Sequence, residues 1–157
     1  MARRTRIPEE LAAFLASGVS IVVATRDGAL APDGAAACAA VVHDDREHLT
    51  AFLYRDAAEE MLVNLRVHPA IALDFDLPTS HRACQVKGVM TAARPAREEE
   101  QEEVMRQLDA FAADLEQIGI PRAATSGWSA WPCTAIEVRV TDLFEQTPGP
   151  GTGERMP

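Results

Sequence analysis

Cysteine is scarce in this 157-residue chain, which has three, at Cys38, Cys84 and Cys133. None belongs to a C-x-x-C pair, and three scattered thiols are too few for the disulfide framework of small secreted domains. We therefore expect reduced, mostly buried thiols in a cytoplasmic protein. Cys133 has no evident His or Lys partner to lower its pKa, which favours a structural role over a reactive one.

Long apolar runs are also missing, since none approaches the roughly 20 residues of a membrane span. The basic opening MARRTR leads into PEELAAFLASG, which is acidic and then amphipathic and lacks an apolar signal core. The sequence therefore predicts a soluble protein without an export signal. The length and the 17.0 kDa mass suit one domain, which we assign to 1–146, followed by a flexible tail at 147–157 that is too rich in Pro and Gly to pack.

Positive charge is in deficit, with a formal net charge of −9. Nucleic-acid binding draws most of its affinity from Lys and Arg on phosphates, so this balance argues against it. Any anionic ligand must be held by a few locally placed cations.

Familiar catalytic signatures are absent: no P-loop, G-x-G-x-x-G turn, G-x-S-x-G elbow or H-E-x-x-H helix occurs. The stretch HDDREH at 43–48 gathers possible metal ligands. It forms a short turn between predicted strands, and a solvated hairpin loop is the favoured interpretation. We therefore predict no metal site.

Apolar patterning predicts a mainly β protein with helices. Runs that are β-branched or alternate in polarity predict six strands, at 19–25, 35–42, 48–54, 70–76, 82–92 and 134–146. Three helices are predicted, at 8–17, from an Asp56 capping box to a stop before Pro69, and at 95–118. The long helix carries one apolar seam, Val104, Leu108, Phe111, Leu115 and Ile118, which indicates that it lies on a surface. Mostly consecutive antiparallel strands favour a small barrel over an open α+β sheet, because closure removes free edges.

Three local features suggest binding. Tyr54 and Arg55 stand where a strand end meets a helix start, a place suited to an anion, although a surface arginine packed on Tyr54 explains them equally well. Lys87 precedes Gly88, a glycine that marks a bulge or a close backbone approach. The alanine-rich strand at 35–42 lacks bulk and suits a flat ligand, a second subunit or the underside of the long helix.

Three segments in order, VATRDG (23–28), FLYRDAAEEMLVNLRVHPAIALDFD (52–76) and QVKGVMTAA (85–93), resemble the FMN-binding split-barrel family related to pyridoxamine 5′-phosphate oxidase. The resemblance implies a six-stranded antiparallel split barrel with the long helix packed on it. It also implies a homodimer with FMN in clefts at the subunit interface. The isoalloxazine would lie against the first two strands, and the phosphate would be held by cations from the third strand and the following helix.

Carried over by position, the resemblance assigns nine cofactor-binding residues. Thr25 and Arg26 would flank the ring, Tyr54 and Arg55 would lie near the ribityl phosphate, and Asn64 would brace the helix end. The others are Gln85 and Lys87 from the fifth strand, Trp131 (or Trp128) over the ring, and Met61, which replaces a phosphate-binding lysine of many relatives.

The leading functional hypothesis is an FMN-dependent oxidoreductase whose substrate and catalytic residues are unknown, with the flavin supplying the redox chemistry. Pyridoxamine phosphate is not the expected substrate, because the family's oxidases are longer and carry substrate-binding Arg and His near the C-terminus that we do not find in TDLFEQTPGPGTGERMP. The alternative is a non-catalytic ligand-binding or sensor dimer for haem, deazaflavin or another small molecule. Candidate haem ligands would be His43, His48, His68 and His81. A structural dimer with a relict cleft is the third hypothesis.

Overall fold

The computed structural model describes residues 5–157, so the first four residues of the basic opening discussed above lie outside the described residues. Four helices are present, α1 (Glu9–Leu15), α2 (Arg55–Val67), α3 (Gln101–Gln117, preceded by a 3₁₀ turn at Glu98–Glu100) and α4 (Arg122–Thr125). The strands are β1 (Ser20–Arg26), β2 (Pro32–Ala36), β3 (Ala39–Val42), β4 (His48–Tyr54), β5 (Ala70–Leu77), β6 (Arg82–Pro95) and β7 (Cys133–Glu145). None of the helices described is long and apolar enough to cross a membrane.

All seven strands form one antiparallel sheet in the order β2-β1-β5-β6-β7-β4-β3. Its two outermost strands are consecutive in the chain. Between them, the Ala37 N–H donates to the Ile21 carbonyl of β1 at 2.9 Å, and the Cys38 N–H donates to the Phe52 carbonyl of β4 at 2.7 Å. The chain thus passes from one edge of the curled sheet to the other within two residues. The predicted strand at 35–42 is divided at this crossing, which gives seven strands where the sequence predicted six.

The barrel core follows from strict alternation along the strands. In β5 every second side chain, Ile71, Leu73 and Phe75, is buried, and β7 repeats the pattern at Ile136, Val138 and Val140. Because side chains alternate between the two faces of a strand, these residues share the inner face. The predicted alternation of both strands is confirmed.

Gly88 lies at a shift of register between β6 and β7. A Cβ atom built there would stand 2.5 Å from the Arg139 carbonyl oxygen, well inside van der Waals contact. Only glycine lets the two backbones approach this closely, so the predicted bulge with close approach is confirmed.

Helix α3 packs on the outside of the barrel. Val104 and Leu115 of the predicted seam are buried, Leu108 and Phe111 are partly buried, and Ile118 is 50% exposed. Val104 joins an outer apolar cluster made of Ala39, Phe52, Val104, Cys133 and Ala135. The predicted start of this helix at residue 95 is wrong, because β6 continues through Pro95 and keeps its pairing with Thr134.

Two other local predictions need correction. Helix α2 begins at Arg55 with Tyr54 as N-cap and no side-chain cap, so Asp56 lies in the first turn instead of capping it. The predicted end before Pro69 is confirmed, since α2 stops at Val67. The tail packs along β7, contrary to the expectation from its composition: the Met156 N–H donates to the Leu143 carbonyl at 2.8 Å.

Candidate functional site

A cleft of about 840 Å³ opens between α2, the second half of β6 and the segment that enters β7. This volume falls within the range of about 300–1,000 Å³ typical of small-molecule sites. Its walls are formed by Arg55, Glu59, Leu62, Arg66, Met90, Ala93, Arg94, Pro95, Ala96, Glu98, Gln101, Trp131, Pro132, Cys133 and Thr134.

One face of α2 supplies the first wall. Arg55, Glu59, Leu62 and Arg66 are spaced by four, three and four residues, which places them on the same side of a helix. The other side of α2, with Ala58, Met61 and Leu65, is buried in the barrel core. The amphipathic pattern of α2 therefore presents two arginines to the cleft, one at each end of the helix.

Arg55 is fixed by its backbone and open at its side chain. Its N–H donates to the Pro132 carbonyl at 3.0 Å, which ties the start of α2 to the opposite wall. The guanidinium is 58% exposed, and its contact with the neighbouring Asp56 carboxylate is long, at 3.4 Å. Arg55 thus keeps donor groups available for an anion in the cleft.

Arg94, on the β6 wall, is instead engaged by two carboxylates. Its guanidinium donates to both Glu100 oxygens at 2.7 and 2.8 Å and to Glu137 at 3.2 Å. The hydrogen bond from Arg94 holds the pKa of Glu100 below its ordinary value. This triad fixes the 3₁₀ turn before α3 against the sheet, and Arg94 has little capacity left for a ligand.

The third wall combines an aromatic ring with a thiol. Trp131 is partly buried and packs against the outer apolar cluster. Cys133, the first residue of β7, donates its thiol proton to the Ala130 carbonyl at 2.9 Å. Together with Leu62 and Met90, Trp131 gives the cleft an apolar side next to its arginines.

Three of the predicted cofactor-binding residues meet away from the cleft. The Asn64 amide donates to the Thr25 hydroxyl at 3.2 Å, and that hydroxyl donates to the Met61 sulfur at 3.7 Å. Met61 is 1% exposed and belongs to the barrel core. Arg26, which follows Thr25 at the end of β1, is partly exposed. The structure thus brings Thr25, Met61 and Asn64 together as a buried group.

Gln85 and Lys87 lie on the first half of β6, beyond the described walls of the cleft. The exposed Lys87 ammonium stands 4.8 Å from the centre of the Phe144 ring, a cation–π contact across to β7. Gln85 is partly buried between Asp74 of β5 and Phe144 of β7 in the strand register. Of the nine predicted residues, the cleft therefore contains Arg55 and Trp131.

Tyr54 and Ser129 line a second cavity of about 440 Å³. Ala36 and Ala37 of the alanine-rich stretch contribute to it, and the stacked rings of Phe111 and Trp128, 5.6 Å apart, form another wall. We call this the alanine pocket. The surface of the alanine-rich stretch is thus partly covered by α3 and partly open.

The histidines lie elsewhere. His43 shares a hydrogen bond of 2.8 Å with the Thr50 hydroxyl, and His48 shares one of 2.7 Å with Asp45 in the turn between β3 and β4. No histidine lines the cleft or the alanine pocket. Within residues 5–157, no group of three His, Cys, Asp or Glu side chains is placed to hold a metal ion.

Sequence reasoning missed Arg66. Its signal was the spacing from Arg55 through Glu59 and Leu62, which marks one helix face. The sequence does not show that β6 and Trp131, which are distant along the chain, lie opposite this helix face and form a cleft with it.

No family model and no curated protein matches the sequence. Solved structures do match, over nearly the whole chain. An F420 reductase is 18% identical, with 87% of this chain and 97% of that chain covered and a TM-score of 0.55. A protein of Lactobacillus delbrueckii provisionally assigned as a pyridoxamine 5′-phosphate oxidase is 15% identical, with 88% and 93% covered and a TM-score of 0.53. An FMN-binding protein of Syntrophomonas wolfei is 13% identical, with 85% and 81% covered and a TM-score of 0.51.

The chain has the split-barrel fold of these proteins. The fold expected from the three motifs, and the resemblance to pyridoxamine 5′-phosphate oxidase-like proteins, are therefore confirmed at the level of structure. At these identities the likeness concerns the split barrel itself, and the side chains of the cleft must be judged on their own chemistry.

Proposed function

We propose that this split-barrel protein binds FMN in the cleft between α2 and β6 and acts as a flavin-dependent oxidoreductase. The observation that carries the proposal is the pairing of two arginines, Arg55 and Arg66, with an apolar and aromatic wall in one cleft. FMN has an anionic phosphate that suits the arginines and a flat ring system that suits the apolar and aromatic wall. The shared fold with an FMN-binding protein of Syntrophomonas wolfei supports it.

The phosphate is assigned to the α2 side of the cleft. Arg55 is the first residue of that helix, and the positive end of the helix dipole also favours an anion there. Arg66 stands on the same face near the helix end. Arg94 is left out of the assignment, because Glu100 and Glu137 already neutralise it.

The ring is assigned to the apolar side, where Trp131, Leu62 and Met90 would orient it and exclude water. When bound, FMN supplies hydride or electron transfer, chemistry that needs no general acid or base from the protein. The residues of the cleft then have three tasks: to bind the phosphate, to position the ring and to shield it from solvent.

The proposal includes a cytoplasmic homodimer, with the second protomer completing the cleft. An open cleft in one protomer, with the exposed Arg55 at its rim, is consistent with this assembly. Light scattering on the purified protein tests it. A mass of one chain in the presence of FMN would contradict the shared site.

The binding test is an FMN titration followed by quenching of flavin fluorescence. Arg55→Ala removes a charged hydrogen bond to the phosphate of about 1.5–3 kcal/mol, so it should weaken binding roughly tenfold to a hundredfold. Arg66 stands about 16 Å further along the axis of α2, so Arg66→Ala should weaken binding less. Arg139→Ala, an equal loss of charge at an exposed position of β7, is the matched control and should change little. Failure of the unaltered protein to bind FMN, or equal effects of all three substitutions, would contradict the proposal.

A deazaflavin is the second candidate ligand, favoured by the shared fold with an F420 reductase. The same titration with a deazaflavin distinguishes the two, since the preferred cofactor should bind more tightly and lose affinity in Arg55→Ala. Bleaching of the bound flavin by a reductant, followed by reoxidation on adding an acceptor, separates an oxidoreductase from a non-catalytic sensor.

A further inference from the structure

Two of the three cysteines lie at the segment 129–133, whose residues line both the cleft and the alanine pocket. Cys38 lies at the crossing between β2 and β3, and Cys133 begins β7. The Cys38 thiol approaches the Ser129 carbonyl at 3.9 Å, and the Cys133 thiol donates to the Ala130 carbonyl at 2.9 Å. Because Ser129 and Ala130 are consecutive, residues that are 95 positions apart in sequence bring their sulfur atoms to the same short stretch of backbone.

Each cysteine lines a different cavity. Cys38 lines the alanine pocket and is partly buried, whereas Cys133 lines the cleft and is buried. A small solute can therefore approach the pair from the Cys38 side. Cys84, the remaining cysteine, is buried in the barrel core, and burial raises its pKa to about 12.

The two thiols are unequal. The neighbouring Cys133 side chain is the main reason that the pKa of Cys38 lies below the ordinary thiol value. The same contact, together with burial, raises the pKa of Cys133. Cys38 is also the more exposed of the two, since Cys133 is 3% exposed, so Cys38 is the member that meets an oxidant first and Cys133 is its partner.

We propose that Cys38 and Cys133 form a reversible redox pair whose substrate is a hydroperoxide. In the first step, the Cys38 thiolate attacks one peroxide oxygen, the O–O bond breaks, and the departing alkoxide or hydroxide takes up a proton, which leaves Cys38 as a sulfenic acid. In the second step, the Cys133 sulfur attacks the Cys38 sulfur. The S–O bond breaks and the disulfide forms, and the hydroxyl leaves as water with the proton of Cys133. Two thiols and one hydroperoxide thus give one disulfide, one alcohol (or water) and one water.

Formation of this disulfide would couple the two cavities. A disulfide has no thiol proton, so both sulfur atoms lose their contacts with the Ser129 and Ala130 carbonyls. In their place, a covalent link joins the β2–β3 crossing to β7. The proposal does not depend on what the cleft binds.

The test uses the positions of the cysteines in a tryptic digest. Cleavage after Arg and Lys places Cys38, Cys84 and Cys133 on separate peptides, 27–46, 83–87 and 123–139. The reduced full-length protein is treated with hydrogen peroxide, unfolded in denaturant, alkylated with iodoacetamide and digested. We expect a loss of about 2 Da from the intact chain, a 27–46/123–139 disulfide that dithiothreitol reverses, and an alkylated Cys84. Cys84→Ser should give the same product.

Two variants separate the roles. In Cys133→Ser, Cys38 should stop at the sulfenic acid, which dimedone traps, and then oxidise further. In Cys38→Ser, Cys133 should stay reduced under the same treatment. The proposal would be overturned if Cys38 and Cys84 were oxidised at equal rates, if the disulfide joined two chains, or if Cys38 of the unaltered protein passed to the sulfinic acid with Cys133 still reduced.

Discussion

Met61 has a different neighbourhood from the one its place in the motif implies. Met61 faces Thr25 and the barrel core. The cleft is lined instead by Leu62, the next residue of α2, and by Glu59, two residues before Met61. On a helix a difference of one residue is a rotation of about 100°, which is enough to move a side chain from one face to the next. The structure thus places Met61 on the core side of α2, next to the face that lines the cleft.

Met61→Lys is therefore expected to destabilise the fold, and not to improve phosphate binding. A lysine at a site with 1% exposure places an ammonium among apolar side chains without a carboxylate partner, at a cost of about 3 kcal/mol or more. Met61→Leu, which conserves volume, should cost less than about 1.5 kcal/mol. Urea denaturation of the three proteins measures both. Tighter FMN binding by a fully stable Met61→Lys protein would show that the side chain reaches the cleft.

At the scale of elements, the barrel was predictable wherever alternation was strong. The spacing of Ile71, Leu73 and Phe75 predicts β5, because a strand with one buried face has apolar residues at every second position. The run of alanines around Ala36 and Ala40 carries no such period, so nothing in it marks the division between β2 and β3. The site was less predictable: Arg55 follows from a strand end and a helix start, whereas Arg66 depends on β6 lying opposite.

Gln107 shows how α3 stabilises the edge of the sheet. Its side-chain oxygen accepts the Ala40 N–H at 3.0 Å, and its amide donates to the Ala40 carbonyl at 2.8 Å. The glutamine thus takes the place of a neighbouring strand for one residue of β3. An edge strand satisfied by a buried side chain cannot recruit a foreign strand at that residue.

Gln107→Leu keeps the volume and removes both hydrogen bonds, which leaves the Ala40 N–H and C=O buried without partners. Each unsatisfied group costs about 1–3 kcal/mol, so a loss of roughly 2–6 kcal/mol in the free energy of unfolding is expected. Gln117→Leu, at an exposed position of the same helix, is the control. A Gln107→Leu protein as stable as this control in denaturant titrations would mean that α3 is held by its apolar seam alone.

For the whole molecule, the crossing at Ala37 and Cys38 decides how the barrel is joined. These two backbone amides belong to opposite sides of the sheet, one bonded to β1 and the other to β4. Neither bond is local, because Ile21 and Phe52 are distant from the crossing in sequence. β1 and β4 stay joined at this point only while both bonds are intact.

Hydrogen exchange should therefore show strong protection of the backbone amides at this crossing. The Ala37 and Cys38 amides are expected to exchange as slowly as amides of β4, through an opening close to global unfolding. The Leu30 amide, bonded locally to Asp27 in the β1–β2 turn, should exchange much faster. Rapid exchange at both crossing residues would instead reveal a barrel that opens without unfolding. Since Cys38 is itself one of the two residues, each such opening would also expose its sulfur beyond the partial exposure that it has in the closed barrel.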